Sequence, residues 1–255
     1  MAMLELAGVT KVFGGLTAVS QVDVAIQVGE LVGLIGPNGA GKTTIFNIVT
    51  GAQPPTSGTI SFDGRTITAL KPYDVTHRGI ARTFQNIRLF GDLSVLDNVR
   101  VACHFGSKSG LAAGVLRLPS MVREEKAMRD RARDLLSIFH LEDRLEERAK
   151  NLPYGEQRRL EIARALATSP KMLLLDEPAA GMNPQETSQL VDLIRWVRER
   201  FSLTVFLIEH DMGLVMNLCE RMYVLDYGTI IAEGTPKEVR SNPKVIEAYL
   251  GEEVV

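Results

Sequence analysis

Val22, Val24, Ile26 and Val28 alternate with polar or small neighbours, the period of two that predicts a strand with one buried face. Gly29-Glu30 then turns the chain into Leu31–Ile35, which is apolar throughout. A short apolar run bounded by glycines suits a strand covered on both faces, as in a parallel sheet flanked by helices. Thr43–Thr50 predicts a helix ending at Gly51, and Asp63-Gly64 between Thr59–Phe62 and Arg65–Ile67 predicts a hairpin. From Lys171 the alternation of strands and helices returns, with a buried strand over Met172–Leu175, a helix over Gln185–Arg200 and a strand over Leu203–Ile208. Asn183, Pro184 and Glu186 start that helix with a cap, a fixed φ and an acid three residues after the cap, and Leu190, Leu193, Ile194 and Val197 form its inner stripe.

Between these halves, from Ile87 to Leu152, the strand signals fade. Gly106, Gly110 and Gly114 loosen one stretch, and a charged helical stretch follows over Arg123–Asp134. Met128, Ala132, Leu135, Leu136 and Phe139 recur at helical spacing, so the charges read as the solvated face of an amphipathic helix, with a partner-binding surface as the alternative. The pattern is that of an α/β core interrupted by a mostly helical insertion.

The length of 255 residues supports one compact α/β unit with a subdomain, large enough to need no disulfide or metal to hold a core. A net charge of −2 gives no electrostatic reason to expect nucleic acid as a partner. Cys103 and Cys219 stand far apart without a CxxC spacing and read as reduced intracellular thiols. The longest uncharged run, the 20 residues of Thr43–Phe62, carries Asn47, Gln53, Pro54, Pro55 and Ser57 and is not a membrane span. The start, Met1–Glu5, lacks a basic region followed by an apolar core, so the chain is expected to stay in the cytoplasm.

Gly36-Pro37-Asn38-Gly39-Ala40-Gly41-Lys42-Thr43 fits GxxxxGK[ST] between a predicted strand and a predicted helix. Its glycines let backbone amides turn inward around phosphates. The helix start adds a positive dipole end, Lys42 a point charge, and Thr43 a hydroxyl able to ligate Mg²⁺. Met172–Leu175 ends in Asp176-Glu177, which puts two acids at the carboxyl edge of the sheet facing that loop: Asp176 on the metal side, and Glu177 able to take a proton from an attacking water. His210, after the strand over Leu203–Ile208, and Gln85, in Thr83-Phe84-Gln85-Asn86, are ambiguous by themselves.

The segment Leu152-Pro153-Tyr154-Gly155-Glu156-Gln157-Arg158-Arg159-Leu160-Glu161, about twenty residues before Asp176-Glu177, resembles the signature motif of ABC ATPases. With the phosphate loop, Gln85, the acid pair and His210 in the family's order, the resemblance covers essentially the whole chain. Arg82-Thr83-Phe84-Gln85, Tyr154, Glu177-Pro178-Ala179-Ala180-Gly181 and the tail Tyr249-Leu250-Gly251-Glu252 look most like the LivG-type ATPases of branched-chain amino-acid importers. The resemblance implies a P-loop (RecA-like) α/β core with an antiparallel β subdomain and an inserted α-helical subdomain, divided as residues 1–87, 88–157 and 158–255. It implies ATP and Mg²⁺ as cofactors. It further implies that Phe13 stacks on adenine and that Val19 belongs to the same cofactor-binding set. Residues Gly36, Pro37, Asn38, Gly39, Ala40, Gly41, Lys42, Thr43 and Thr44 hold the phosphates. Thr43, Gln85 and Asp176 serve the metal, Glu177 polarises water and His210 holds the γ-phosphate. Pro153, Tyr154, Gly155 and Glu156 meet the nucleotide of a facing subunit.

One phosphate loop and one signature per chain imply a second ATPase subunit, usually a related but different chain, a homodimer of the isolated protein being a partial stand-in. Two membrane permease subunits and, indirectly, a periplasmic or extracellular substrate-binding protein complete the implied assembly, on the cytoplasmic face of the inner (plasma) membrane. Three positions depart from the family pattern: Pro153 replaces its usual signature Ser, Tyr154 the following Gly, and Asn183 the usual Asp. The missing phosphate-facing donor at Pro153 predicts that this signature completes the weaker of two sites. A GTPase or kinase is disfavoured because no Asn-Lys-x-Asp guanine reader follows the loop and because the signature segment argues against both. The remaining alternatives are an ATPase of another ABC system, lipopolysaccharide export being the nearest, and a soluble ABC switch, which usually carries two cassettes.

Overall fold

A computed structural model describes residues 2–106 and 119–250; Gly110, Gly114 and the tail residues Gly251-Glu252 lie outside them. The chain divides into two compact units, Met1–Gln85 with Lys171–Val255, and Asn86–Pro170.

The first unit holds two sheets. β1 (Ala2–Phe13), β2 (Leu16–Gln27), β4 (Ser57–Phe62) and β5 (Arg65–Thr66) form an antiparallel sheet in the order β2-β1-β4-β5. β3 (Leu31–Ile35), β6 (Ile80–Arg82), β7 (Met172–Asp176), β8 (Thr204–Ile208), β9 (Arg221–Asp226) and β10 (Thr229–Gly234) form the second, in the order β10-β9-β3-β8-β7-β6. Its strands are parallel except β10, which runs antiparallel to β9. Every residue of β3, β7 and β8 is buried, as continuous apolar runs require. α1 (Lys42–Val49) packs Ile45, Phe46, Ile48 and Val49 into one cluster with Val24, Ile60 and Phe62 of the antiparallel sheet and Val32, Leu174 and Phe206 of the parallel one. Phe46 and Phe206 meet with ring centroids 5.0 Å apart. The helix that starts at the phosphate loop is therefore a core element of both sheets.

The predicted strand over Val22–Val28 is one residue too long. Val28 is 65% exposed and follows the end of β2, because the chain leaves the sheet in a turn through Gly29. Gln21 adopts a left-handed conformation, φ 48°, so Val19 and Val22 both point inward although three residues apart. That irregularity, with a matching one at Gly8 in β1, breaks the period of two and hides most of the β1–β2 pair from pattern reading. The Asp63-Gly64 hairpin forms between β4 and β5, with both turn residues at positive φ.

α2 (Pro72–Arg78) precedes β6, and α3 (Val95–Cys103), α4 (Pro119–Ile138) and α5 (Tyr154–Ala167) make up most of the described part of the second unit. Within it α4 buries Ala132, Leu135 and Leu136, with Phe139 just beyond, while Met128 is half-buried and the charges from Arg123 to Asp134 are largely exposed. The first unit is completed by α6 (Pro184–Phe201), α7 (Met212–Leu218), α8 (Pro236–Arg240) and α9 (Pro243–Leu250). No helix among the described residues is long and apolar enough to cross a membrane. Cys103 and Cys219 are both free and buried. Burial pushes the Cys219 thiol up to about 12 and raises that of Cys103 as well, which leaves both as inert thiols at neutral pH.

α6 starts with a complete capping box: the Asn183 side chain accepts from the amides of Gln185 and Glu186 at 3.0 Å each, and Glu186 returns the contact to the Asn183 amide at 2.9 Å. Replacing Asn183 by Ala is expected to cost about 1 kcal/mol, read as a lower midpoint of urea unfolding with an unchanged slope.

Candidate active site

The loop between β3 and α1 owes its path to two close approaches. Gly36, at φ 148°, lies so near β9 that an added Cβ would stand 1.9 Å from the Leu225 carbonyl oxygen. At Gly41, φ 108°, a Cβ would stand 2.5 Å from the Ala18 oxygen. Only glycine fits at either position. Lys42, 7% exposed, folds its ammonium back over the loop and donates to the carbonyls of Gly36 at 2.6 Å and Pro37 at 2.8 Å. Ala40 is buried, Asn38, Gly39 and Thr43 are exposed, and Thr44 is half-buried. Val19 is fully buried and helps floor the loop, while Phe13, at the end of β1, is 42% exposed with the Lys11 ammonium 5.0 Å from its ring centroid. Beside the loop, Pro37, Asn38, Asp226, Tyr227, Lys244 and Glu247 line a cavity of about 580 Å³.

At the carboxyl edge of the parallel sheet, β7 delivers Asp176, 3% exposed. The guanidinium of Arg82 donates to its Oδ2 at 2.6 Å. The same guanidinium donates to Asn47 Oδ1 on α1 at 2.8 Å, which links the acid at the end of β7 to the helix that follows the phosphate loop. Glu177 continues the pairing with β8 through its amide, 2.9 Å from the Ile208 oxygen, and then takes a left-handed conformation at φ 45°. A positive φ at a residue with a side chain is strained. Here it accompanies a sharp turn closed by the Ala180 amide on the Glu177 carbonyl.

Two predicted residues converge on one carboxylate oxygen of a third, Glu177. Gln85 Nε2 donates to Glu177 Oε2 at 2.6 Å, and His210 Nδ1 lies 3.6 Å from the same oxygen. His210 is 59% exposed at its side chain and Glu177 14%, so the group opens to solvent from the histidine side. Beneath it sits a residue that sequence reading did not single out, Glu209, 1% exposed. Glu209 Oε1 accepts from the Ala179 amide at 3.0 Å and Oε2 from the His210 amide at 3.2 Å. Burial raises its carboxyl above the ordinary range, against the lowering by those backbone donors. It ties the turn after Glu177 to the turn that carries His210. Its signal in the chain is an acid directly before His210 at the end of an apolar run.

The signature residues stand in the second unit. Pro153 occupies the cap position of α5 and makes no side-chain cap bond, and Tyr154, Gly155 and Glu156 form the first turn. Tyr154 is 43% exposed, with the Arg158 guanidinium 6.0 Å from its ring centroid. Arg158 is itself fully buried in an ion pair with Glu161 at 2.8 Å.

A family model described as ABC transporter matches residues 19–180. The chain belongs to the ABC transporter family. A second model, described as branched-chain amino acid ATP-binding cassette transporter, matches residues 229–255 of the cassette. The cassette is 48% identical over 98% of both chains to the high-affinity branched-chain amino acid transport ATP-binding protein LivG of Salmonella typhimurium. With the lipopolysaccharide export system ATP-binding protein LptB of Escherichia coli the identity is 37% over 99% of both chains. Among solved structures, the ADP conformation of MJ1267, an ATP-binding cassette of an ABC transporter, superposes with a TM-score of 0.86 at 32% identity, covering 98% of the cassette and 99% of that chain. The expected α/β fold with its antiparallel sheet and helical insertion, and the expected ABC-type ATPase class, are both borne out.

Because the Leu225 oxygen fills the space where a side chain would go, Gly36→Ala is expected to displace the loop and abolish measurable nucleotide binding. Fluorescent-nucleotide titration would check this, and a variant that binds like the parent would refute it.

Proposed function

We propose that this chain is the ATP-hydrolysing subunit of an importer for branched-chain amino acids. The observation that carries the chemistry is the convergence of Gln85 and His210 on the Glu177 carboxylate, in the unit that holds the phosphate loop. For the transported substrate the support is the stronger likeness to LivG, at 48% identity, than to LptB, at 37%, together with the match of residues 229–255.

In this reading the amides of residues 36–44 and the start of α1 bind the β- and γ-phosphates, to which Lys42 turns its ammonium, and Phe13 offers its exposed ring to adenine. The donors near the phosphates are oxygens of a hydroxyl (Thr43), an amide (Gln85) and one carboxylate (Asp176), a set that suits Mg²⁺ rather than a softer ion. Among the described residues no three His, Cys, Asp or Glu side chains cluster into a metal cage. A cation beside Asp176 would therefore take most of its ligands from phosphate and water, the habit of Mg²⁺ in nucleotide sites. When bound it neutralises phosphate charge. Glu177, held by Gln85, accepts the proton of the attacking water, and His210 steadies the γ-phosphate from the open side.

The signature residues of one chain serve the nucleotide of a second ATPase subunit, a related but different chain, and closure of that pair moves two membrane permease subunits fed by a substrate-binding protein outside. The protein works at the cytoplasmic face of the membrane. Glu177→Gln should retain nucleotide binding while turnover falls about 10²- to 10⁴-fold; near-normal phosphate release would remove Glu177 from the proton-accepting role. Pro153→Ser supplies a hydroxyl donor and a backbone amide at the start of α5, and should raise hydrolysis in the assembled complex. An unchanged rate, with the fold verified by its melting temperature, would refute the idea of a weakened site.

A further inference from the structure

Arg82 and Asp176 form an ion pair with side chains only 5% and 4% exposed. A buried pair of this kind is not held for stability alone, because desolvating two charges offsets most of their attraction. The way Arg82 is gripped shows what the pair can do. One amino group, Nη2, donates to Asp176 Oδ2; the other, Nη1, donates to Asn47 Oδ1, with Thr50 Oγ1 of the same stretch at 3.4 Å. The plane of the guanidinium lies near two aromatic rings, Phe46 at 5.6 Å and Phe84 at 4.8 Å. Nε, by contrast, has no hydrogen-bond partner among the described residues. The group is thus fixed through its two amino ends and the ring contacts, on three elements: α1, the strand β6 with the segment that follows it, and the end of β7.

We propose that Arg82 is the positioning residue for the metal-side carboxylate. It holds Oδ2 of Asp176 permanently, so that the carboxylate stands in one orientation with Oδ1 as the oxygen offered to a divalent cation. Through Asn47 it also sets the distance between that carboxylate and the helix bearing Lys42 and Thr43. Arg82 is not a stand-in that the cation expels. Releasing Asp176 in place would leave a buried guanidinium without its anionic partner, and moving out of the site would strip Asn47 of its donor and forfeit both ring contacts. Lysine could supply the charge but not the fork that reaches Asp176 and Asn47 together. The inference rests on the reading of Asp176 as the metal-side acid.

The test uses ADP, so that no turnover intervenes. Affinity for ADP is measured by calorimetry in EDTA and again in Mn²⁺, and bound Mn²⁺ is counted separately by the loss of its free-ion electron paramagnetic resonance signal. In the unaltered chain Mn²⁺ tightens ADP binding, and Asp176→Asn removes that gain. Arg82→Met is expected to weaken the bound Mn²⁺ about 10- to 100-fold while ADP affinity in EDTA changes little; Arg82→Lys recovers part of the loss. Asn47→Ala keeps the ion pair, cuts one anchor and should lower the gain by a smaller factor, which keeps the inference testable where Arg82→Met does not fold. An equal loss with and without Mn²⁺ would make Arg82 a prop for α1 and overturn the proposal. Tighter Mn²⁺ binding in Arg82→Met would make it a displaceable plug and overturn it too. A metal gain that survives Asp176→Asn would instead refute the reading of Asp176, and this inference with it.

Discussion

Asp176 ends a strand with no solvent on either face, and a carboxylate there costs several kcal/mol to desolvate. The ion pair with Arg82 offsets that cost, and much of the surrounding architecture follows from the need to keep the guanidinium in place. Phe46 packs in the cluster shared by both sheets and also lies beneath Arg82, so the same ring serves the core and the charged group. Asn47, next in the chain, turns its amide oxygen to Nη1. The helix after the phosphate loop is thereby fastened by dispersion on one side and by a charge-assisted hydrogen bond on the other.

A second buried acid, Glu209, stands one strand over and is held differently. Among the described residues Glu209 accepts no hydrogen bond from a basic side chain, the His210 imidazole standing 3.9 Å from its Oε2, and it is satisfied by backbone amides. Charge at the end of β7 is matched by a side chain, and charge at the end of β8 by the turns on either side of it. The two turns that carry Glu177 and His210 are bound to one carboxyl group, which explains how a strained residue at φ 45° keeps its conformation.

Local chemistry made much of this visible in the amino-acid sequence. The fully buried strands β3, β7 and β8 read as apolar runs, the cap of α6 as Asn-Pro with an acid at the third position, and the phosphate loop as a spacing of glycines before Lys42. Elements whose pattern is broken were harder to read. β1 and the first half of β2 lose their alternation around Gly8 and Gln21, where positive φ values accompany a shift of register. β6 has three residues and too little length for any period, and the β9–β10 hairpin announces itself only through Tyr227-Gly228, both at positive φ. Within the site, Gln85 and His210 were ambiguous as single residues, and their meeting at Glu177 is a product of sheet order. Arg82 stands in the sequence only as part of the Arg82-Thr83-Phe84-Gln85 resemblance, and neither its partner nor the role of Glu209 is legible, because a lone charge beside an apolar run gives no sign of whether it is solvated or enclosed.

Lys42 closes on its own loop, bonded to two neutral carbonyls. On the proposed reading, an arriving phosphate enters by exchange: the ammonium trades neutral carbonyl oxygens for anionic ones, and the attraction of opposite charges is added to a hydrogen bond already assisted by the lysine's own charge. The exchange grows more favourable with each negative charge the ligand brings. On that reading the loop favours ligands by valence before any contact with the base, because a ligand poor in charge offers the ammonium little more than the two carbonyls it already holds.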